Sequence, residues 1–193
     1  METDLLTRHP WVSRRPITVA EYYRMAEVSI LREDDRIELI EGQIIAMSPI
    51  GSDHTGAVNA LNRMLVLAVG DRGVVSVQNP VRLSDRTEPE PDFAVLKPRA
   101  DSYRRATPRA DEVLLMIEIA NSSLNYDRSV KRPLYARHGI PEFWIVNIPA
   151  GHVEVCRGPG DDDYASVVKV ERGVMLEPEA LPGVVISVAE LLG

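Results

Sequence analysis

The sequence predicts an α/β protein, a central sheet with helices packed on its faces, and three stretches carry that prediction. Val113 to Ala120 (VLLMIEIA) is a continuous apolar run, rich in branched residues and closed by Asn121-Ser122-Ser123, which reads as a strand covered on both faces. From residue 113 to residue 147 the order is strand, helix, strand, and a parallel crossover is the geometry that order favours. Between His54 and Val69 the apolar residues Val58, Leu61, Met64, Leu65, Ala68 and Val69 recur at helical spacing, which makes an amphipathic helix able to lie on such a sheet.

The elements follow in chain order. Residues 1–16 read as an arm pinned by Trp11. Thr18-Val19-Ala20-Glu21 is a capping box, in which a hydroxyl and a carboxylate each satisfy a free backbone donor, and a helix through Val28 follows. Arg36 to Met47 reads as two short strands around Glu41-Gly42, with the glycine supplying a backbone angle that other residues resist. The helix from His54 has Ser52 or Asp53 as its N-cap and Gly70 as its stop. Strand signals recur at 74–78 and 81–83, interrupted by Asn79-Pro80, and again after Pro91-Asp92. Lys97 to Asp111 is a proline-containing exposed loop with five basic residues. Asp127 can cap a helix carrying Lys131, Leu134 and Tyr135, although Pro133 would kink it. Pro141 to Asn147 is a second buried strand. Strands at 152–157 and 164–170 flank the acidic turn Asp161-Asp162-Asp163, and Ser187-Val188-Ala189-Glu190 opens a last short helix.

At 193 residues the chain reads as one domain, with its core over about 17–148 and C-terminal strands and a short helix over 149–193. The formal net charge of -7 argues against a nonspecific nucleic-acid coat or a membrane-surface binder, although a local basic patch can still hold phosphates. Cys156 is the sole cysteine, so no internal disulfide forms, and a cytoplasmic location is expected. No targeting or membrane segment is read.

Two acidic residues carry the chemistry. Glu118 lies inside the apolar strand, where a carboxylate costs several kcal/mol, on the order of a few at least, unless a cation, a hydrogen bond or a metal compensates it. Asp92 falls at the first position of another short apolar strand. Carboxylates near the ends of two neighbouring strands can converge on one divalent cation. Each residue also has a plainer reading: a buried ion pair of Glu118 with Lys131, a turn carboxylate at Asp92, solvated side chains at Glu38 and Lys131, and a cap or packed ring at His54.

The ordered set Glu38-Leu39-Ile40-Glu41-Gly42, His54, Pro91-Asp92, Ile117-Glu118-Ile119 with Ser122-Ser123, Tyr126-Asp127-Arg128 to Lys131, and Tyr135 to Gly139 before Glu142-Phe143-Trp144 resembles the Uma2 family of the PD-(D/E)xK restriction-endonuclease-like superfamily. The resemblance covers roughly residues 17 to 148. It implies a restriction-endonuclease-like fold with a mixed central sheet, and a magnesium-dependent phosphodiesterase site in which manganese could substitute. Asp92 and Glu118 match the metal-binding acids, and Glu38, or else Glu41, the acid near the start of the fold. The lysine expected two residues past the second acid is replaced by Ala120. Lys131 matches the lysine of the Uma2 pattern and is expected to reach the pocket from the following helix as the water-activating group. His54 is expected to bind a phosphate or join the water network. Independently of the resemblance, Arg104 and Arg105 are the expected phosphate contacts, because arginine forks match phosphate oxygens and their loop runs between the two acidic strands, the plainer reading being a solvated loop.

The function expected is therefore metal-dependent cleavage of nucleic acid, DNA above all, with a homodimer suited to duplex substrate. The rival expectations are a nucleic-acid-binding or protein-interaction module that kept the fold but not the catalysis, and a metal hydrolase acting on small phosphoesters. Ala120 and the acidic net charge favour the binding module.

Overall fold

The computed structural model describes residues 11, 13–32, 34–49 and 51–193. The first ten residues and Val12 of the expected arm lie outside the described residues, and Trp11 is largely exposed. Strand β1 (Ile37–Ile40) pairs with β2 (Gln43–Ala46) as a hairpin. Glu41 and Gly42 at its tip both have positive φ, 49° and 76°, as a two-residue turn between right-twisted strands requires. Gly42 also touches the incoming chain: a Cβ there would lie 2.4 Å from the Cβ of Pro16.

The central sheet has six strands in sequential order: β3 (Val74–Val77), β4 (Phe93–Leu96), β5 (Val113–Ala120), β6 (Glu142–Asn147), β7 (His152–Pro159) and β8 (Tyr164–Glu171). Only the β5–β6 pair is parallel, so the sheet is mixed and the expected crossover is present. The C-terminal segment supplies two of these strands, plus a small pair, β9 (Met175–Leu176) with β10 (Ile186–Ser187), that the sequence did not announce.

Helix α1 (Val19–Glu27) carries the Thr18–Glu21 capping box. Helix α2 (Ser52–Val69) starts one residue earlier than its expected caps: Gly51 occupies the N-cap position and no side chain caps it. The 81–83 segment is no strand. Val81 donates its amide to Pro89 and Arg82 makes an isolated bridge with Arg109.

Helix α3 (124–137) corrects a further expectation. It begins at Leu124, after Ser123, so Asp127 lies inside the helix rather than capping it. Asp127–Lys131 forms a π-turn, in which the Arg132 amide donates to the Asp127 carbonyl, before α-helix resumes at Arg132–Arg137. Pro133 lacks a donor and its ring would clash with a carbonyl one turn back in a regular helix. The wider turn accommodates it, and such turns often mark functional sites.

Strand β5 separates two cores. Leu115, Ile117 and Ile119 pack with Leu61, Leu65 and Val69 of α2 and with Val188 and Leu191 of the final helix α4 (Val188–Leu192). Full burial of each Leu or Ile contributes about 1.5–3 kcal/mol. Met116 and Ala120 face Leu134, Tyr135 and Ala136 of α3. By the two-residue strand period Glu118 shares this second face and points at α3. Among the described residues no helix is long and apolar enough to cross a membrane.

Candidate functional site

Pairing of Phe93 with Ile117 sets Asp92 opposite Glu118 as β4 begins. The ladder continues through side chains at this point. The Ile119 amide donates to Asp92 Oδ2 at 2.8 Å, and the Asp92 amide reaches Glu118 Oε2 at 3.4 Å. Pro91 keeps the entering chain extended, and Asp92 becomes the first residue after the prolines with an amide to give.

Each carboxylate has one oxygen fixed by two short contacts and one held more loosely. Asp92 Oδ2 meets His54 Nε2 at 3.0 Å as well as the Ile119 amide, whereas Oδ1 accepts, among the described residues, only from Gln78 at 3.2 Å. Glu118 Oε1 accepts from Lys131 Nζ at 2.8 Å and Tyr135 Oη at 2.7 Å, leaving Oε2 with the long Asp92 contact. Both residues line a cleft of about 660 Å³ with Glu38, Glu90, Asp127 and Lys131.

Helix α3 places Lys131 on the lining of this cleft, where it forms the ion pair of the plainer reading. Lys131 is 4% exposed and lies 3.3 Å from Glu38 Oε2 as well as beside Glu118. Glu38 also accepts from Tyr126 Oη at 3.0 Å and the Glu90 amide at 3.2 Å, so it joins the acidic pair through Lys131. Among the described residues, no three His, Cys, Asp or Glu side chains stand as a ready-made metal cage. What the pair does offer a cation is two loosely held carboxylate oxygens on adjacent strands in a cleft richer in acids than in cations.

The electrostatics express that imbalance. Burial, followed by the charges of Asp92 and Asp127, pushes the Glu118 carboxyl up to about 8 against the pull of Lys131. Burial also raises Asp127 to about 6, although Ser123 donates to it. Burial pushes Asp92 up too, but the His54 hydrogen bond and charge, with the Ile119 amide and Gln78, outweigh it and hold it below the ordinary value. Burial pulls the Lys131 ammonium down, and the Glu118 and Glu38 charges more than reverse this, so it stays protonated.

A pH dependence follows. In the unfolded chain Glu118 and Asp127 lose their protons near 4.5 and 3.8, whereas the folded protein keeps them towards about 8 and 6. Between those limits the folded state binds more protons, so stability falls as pH rises. Chemical denaturation in chelator is expected to show a lower midpoint at pH 8 than at pH 5. A midpoint that rises with pH would contradict the charge balance described.

The other expected contacts are divided. His54, in the first turn of α2, reaches Asp92. Glu41 lies at the hairpin tip and pairs with Arg137 at the surface. Arg104 and Arg105 are absent from the acidic cleft and line a separate one beside β3, because the loop holding them folds back on Arg99 and Glu112. Tyr126, Tyr135, Gln78 and Glu90 belong to the site without having been singled out for it. Tyr135 was detectable, since it lies one helical turn from Lys131 and so shares its face. Gln78 had no sequence signal.

A six-stranded mixed sheet flanked by helices is the architecture of the restriction-endonuclease-like fold class. The chain belongs to the Uma2 family, whose model, described as "Putative restriction endonuclease", matches residues 19–189 and so extends well past the motif-bearing part. The fold is similar to the crystal structure of "a putative nuclease" from Anabaena variabilis, with a TM-score of 0.71 and 19% identity, covering 92% of this chain and 98% of that one. No curated protein matches the chain.

Proposed function

We propose that this protein is a metal-dependent endonuclease that hydrolyses phosphodiester bonds in nucleic acid, with DNA as the substrate and Mg2+, replaceable by Mn2+, as the ion. The observation that carries the reading is the facing pair Asp92 and Glu118, each presenting a loosely held oxygen to one acid-rich cleft. Those two side chains would hold the ion. When bound, it would polarise the phosphoryl oxygen and lower the pKa of a water.

The protein's own groups have separable tasks. His54 and the Ile119 amide fix the inner oxygen of Asp92, and Tyr135 and Lys131 fix that of Glu118. A protonated Lys131 does not act as a base. Its role in this reading is to orient the attacking water and to stabilise negative charge developing on the phosphate. Glu38 keeps the ammonium in place. A homodimer would present two such sites to the two strands of a duplex.

Membership of a family whose model is described as "Putative restriction endonuclease" supports the nuclease reading. A specific observation favours a second one, a nucleic-acid-binding module without turnover: Ala120, where the superfamily lysine would stand, is fully buried in the core, and Lys131 is already engaged by two carboxylates.

A plasmid-nicking assay with wild type and Asp92→Asn, in Mg2+, Mn2+ and chelator, tests the proposal. Nicking by wild type in metal alone, and by the variant in none, is expected. A folded wild type that binds DNA but never nicks it would transfer the case to the binding module.

A further inference from the structure

Arg104 and Arg105 are exposed, and neither side chain has an ion-pair or hydrogen-bond partner among the described residues. Both line an open cleft of about 530 Å³ beside the edge strand β3, together with Ser76, Asn79, Tyr103 and Thr107. The neighbouring Arg99 is spent internally. It bonds Asp101 at 2.6 Å and Glu112 at 3.2 Å, and its guanidinium lies 4.2 Å over the Tyr103 ring.

Those contacts hold a costly backbone. Ser102 and Tyr103 both have positive φ, 47° and 61°, a conformation side-chain-bearing residues rarely adopt in succession. The Tyr103 amide donates to Asp101 at 3.2 Å and its hydroxyl to the Lys97 carbonyl at 2.9 Å, locking the turn. The next two residues are the uncommitted arginines. A strained, pinned turn thus presents two planar cationic forks to one cleft, in a chain of net charge -7.

The two clefts are linked through one short chain segment. Gln78, which donates to Asp92, and Asn79, which lines the arginine cleft, are consecutive residues at the end of β3. We infer that Arg104 and Arg105 form a second, non-catalytic phosphate site that grips the backbone of a nucleic-acid strand beside the segment lying at Asp92 and Glu118. The site deepens the nuclease reading and rests on it for the identity of the ligand. It also answers the electrostatic problem of that reading, since the acidic cleft alone would repel a polyanion.

The test is fluorescence anisotropy of a labelled DNA oligonucleotide across a salt series in chelator, with wild type, Arg104→Ala/Arg105→Ala and Arg104→Lys/Arg105→Lys, alongside plasmid nicking in metal. The exposed side chains can be replaced without disturbing the fold, which circular dichroism checks. The alanine variant is expected to bind roughly tenfold or more weakly, with a log–log salt slope shallower by about 1.4 to 1.8, the value for two lost phosphate contacts. The lysine variant should keep most of the slope while losing affinity, because an ammonium is a point charge rather than a fork. Unchanged affinity and slope in the alanine variant, with metal-dependent nicking intact, would overturn the second site and leave the nuclease reading standing. Weakened binding in a protein that never nicks would uphold the site and remove the nuclease reading. No binding by wild type would overturn the second site, and the nuclease reading with it where nicking in metal is also absent; displacement of the oligonucleotide by equimolar inorganic phosphate would replace the strand with a free anion.

Discussion

Glu118→Gln is expected to abolish metal-supported cleavage, by on the order of 10³-fold or more, while making the metal-free protein more stable at pH 8. The glutamine is isosteric, and its carbonyl oxygen can keep both contacts now made by Oε1, from Lys131 and Tyr135. Only the loosely held oxygen is replaced, by an amide that donates where a cation needs a lone pair. The stability gain arises because the substitution removes a charge that burial and the neighbouring Asp92 and Asp127 make unfavourable. About 1–2 kcal/mol is expected from denaturant midpoints at pH 8, shrinking at pH 5, where the wild-type carboxyl is already protonated. Isothermal titration with Mn2+ should show binding by wild type and none by the variant. Loss of stability at pH 8 together with unchanged Mn2+ affinity would make Glu118 a structural ion-pair partner and nothing more.

Lys131→Met should move stability the other way. Methionine can occupy the path of the lysine stem, but it leaves Glu118 and Glu38 without the ammonium that lies 2.8 and 3.3 Å from them. Removing one member of a buried pair costs about 3–5 kcal/mol, because the remaining charge stays desolvated. The loss should be greatest near pH 8 and smaller at pH 5, where the stranded Glu118 carboxyl is protonated. Adding Glu118→Gln to Lys131→Met should restore part of it, since one of the two stranded charges is then gone, and the coupling is measurable as a double-mutant cycle. Nicking should fall about 100-fold or more in the single variant. Two neighbouring substitutions with opposite effects on stability distinguish a cleft with surplus negative charge from an ordinary salt bridge, in which either change would destabilise.

Much of this arrangement was legible in the chain. An ionisable residue within VLLMIEIA is conspicuous because burial makes it expensive, and Asp92 after Pro91 is conspicuous because it opens the next apolar run. The capping box at Thr18 and the apolar stripe from Val58 to Val69 were equally readable, since each is written within a few residues. The destination of Arg104 and Arg105 was not. The loop lies between the two acidic strands in sequence, yet its path depends on Arg99 closing onto Glu112, thirteen residues away, and on a turn with positive φ at Ser102 and Tyr103. Asp127 misled for a related reason: a carboxylate that caps a helix and one buried inside a π-turn have the same local sequence.

Local patterning determined by itself that this protein is α/β, that Val113 to Ala120 lies at its centre, and that Asp92 and Glu118 open and occupy two of its strands. Period and burial cost are properties of short segments and need no partner to be read. Only the tertiary structure decided that Lys131 would stand between Glu118 and Glu38, that Tyr135 and His54 would hold the inner oxygens of the acids, and that the free arginines would line a neighbouring cleft. Those outcomes depend on strand register and on the phase of α3 after its π-turn. Both are set by packing between segments distant in the chain, where a shift of one residue would turn every side chain to another face.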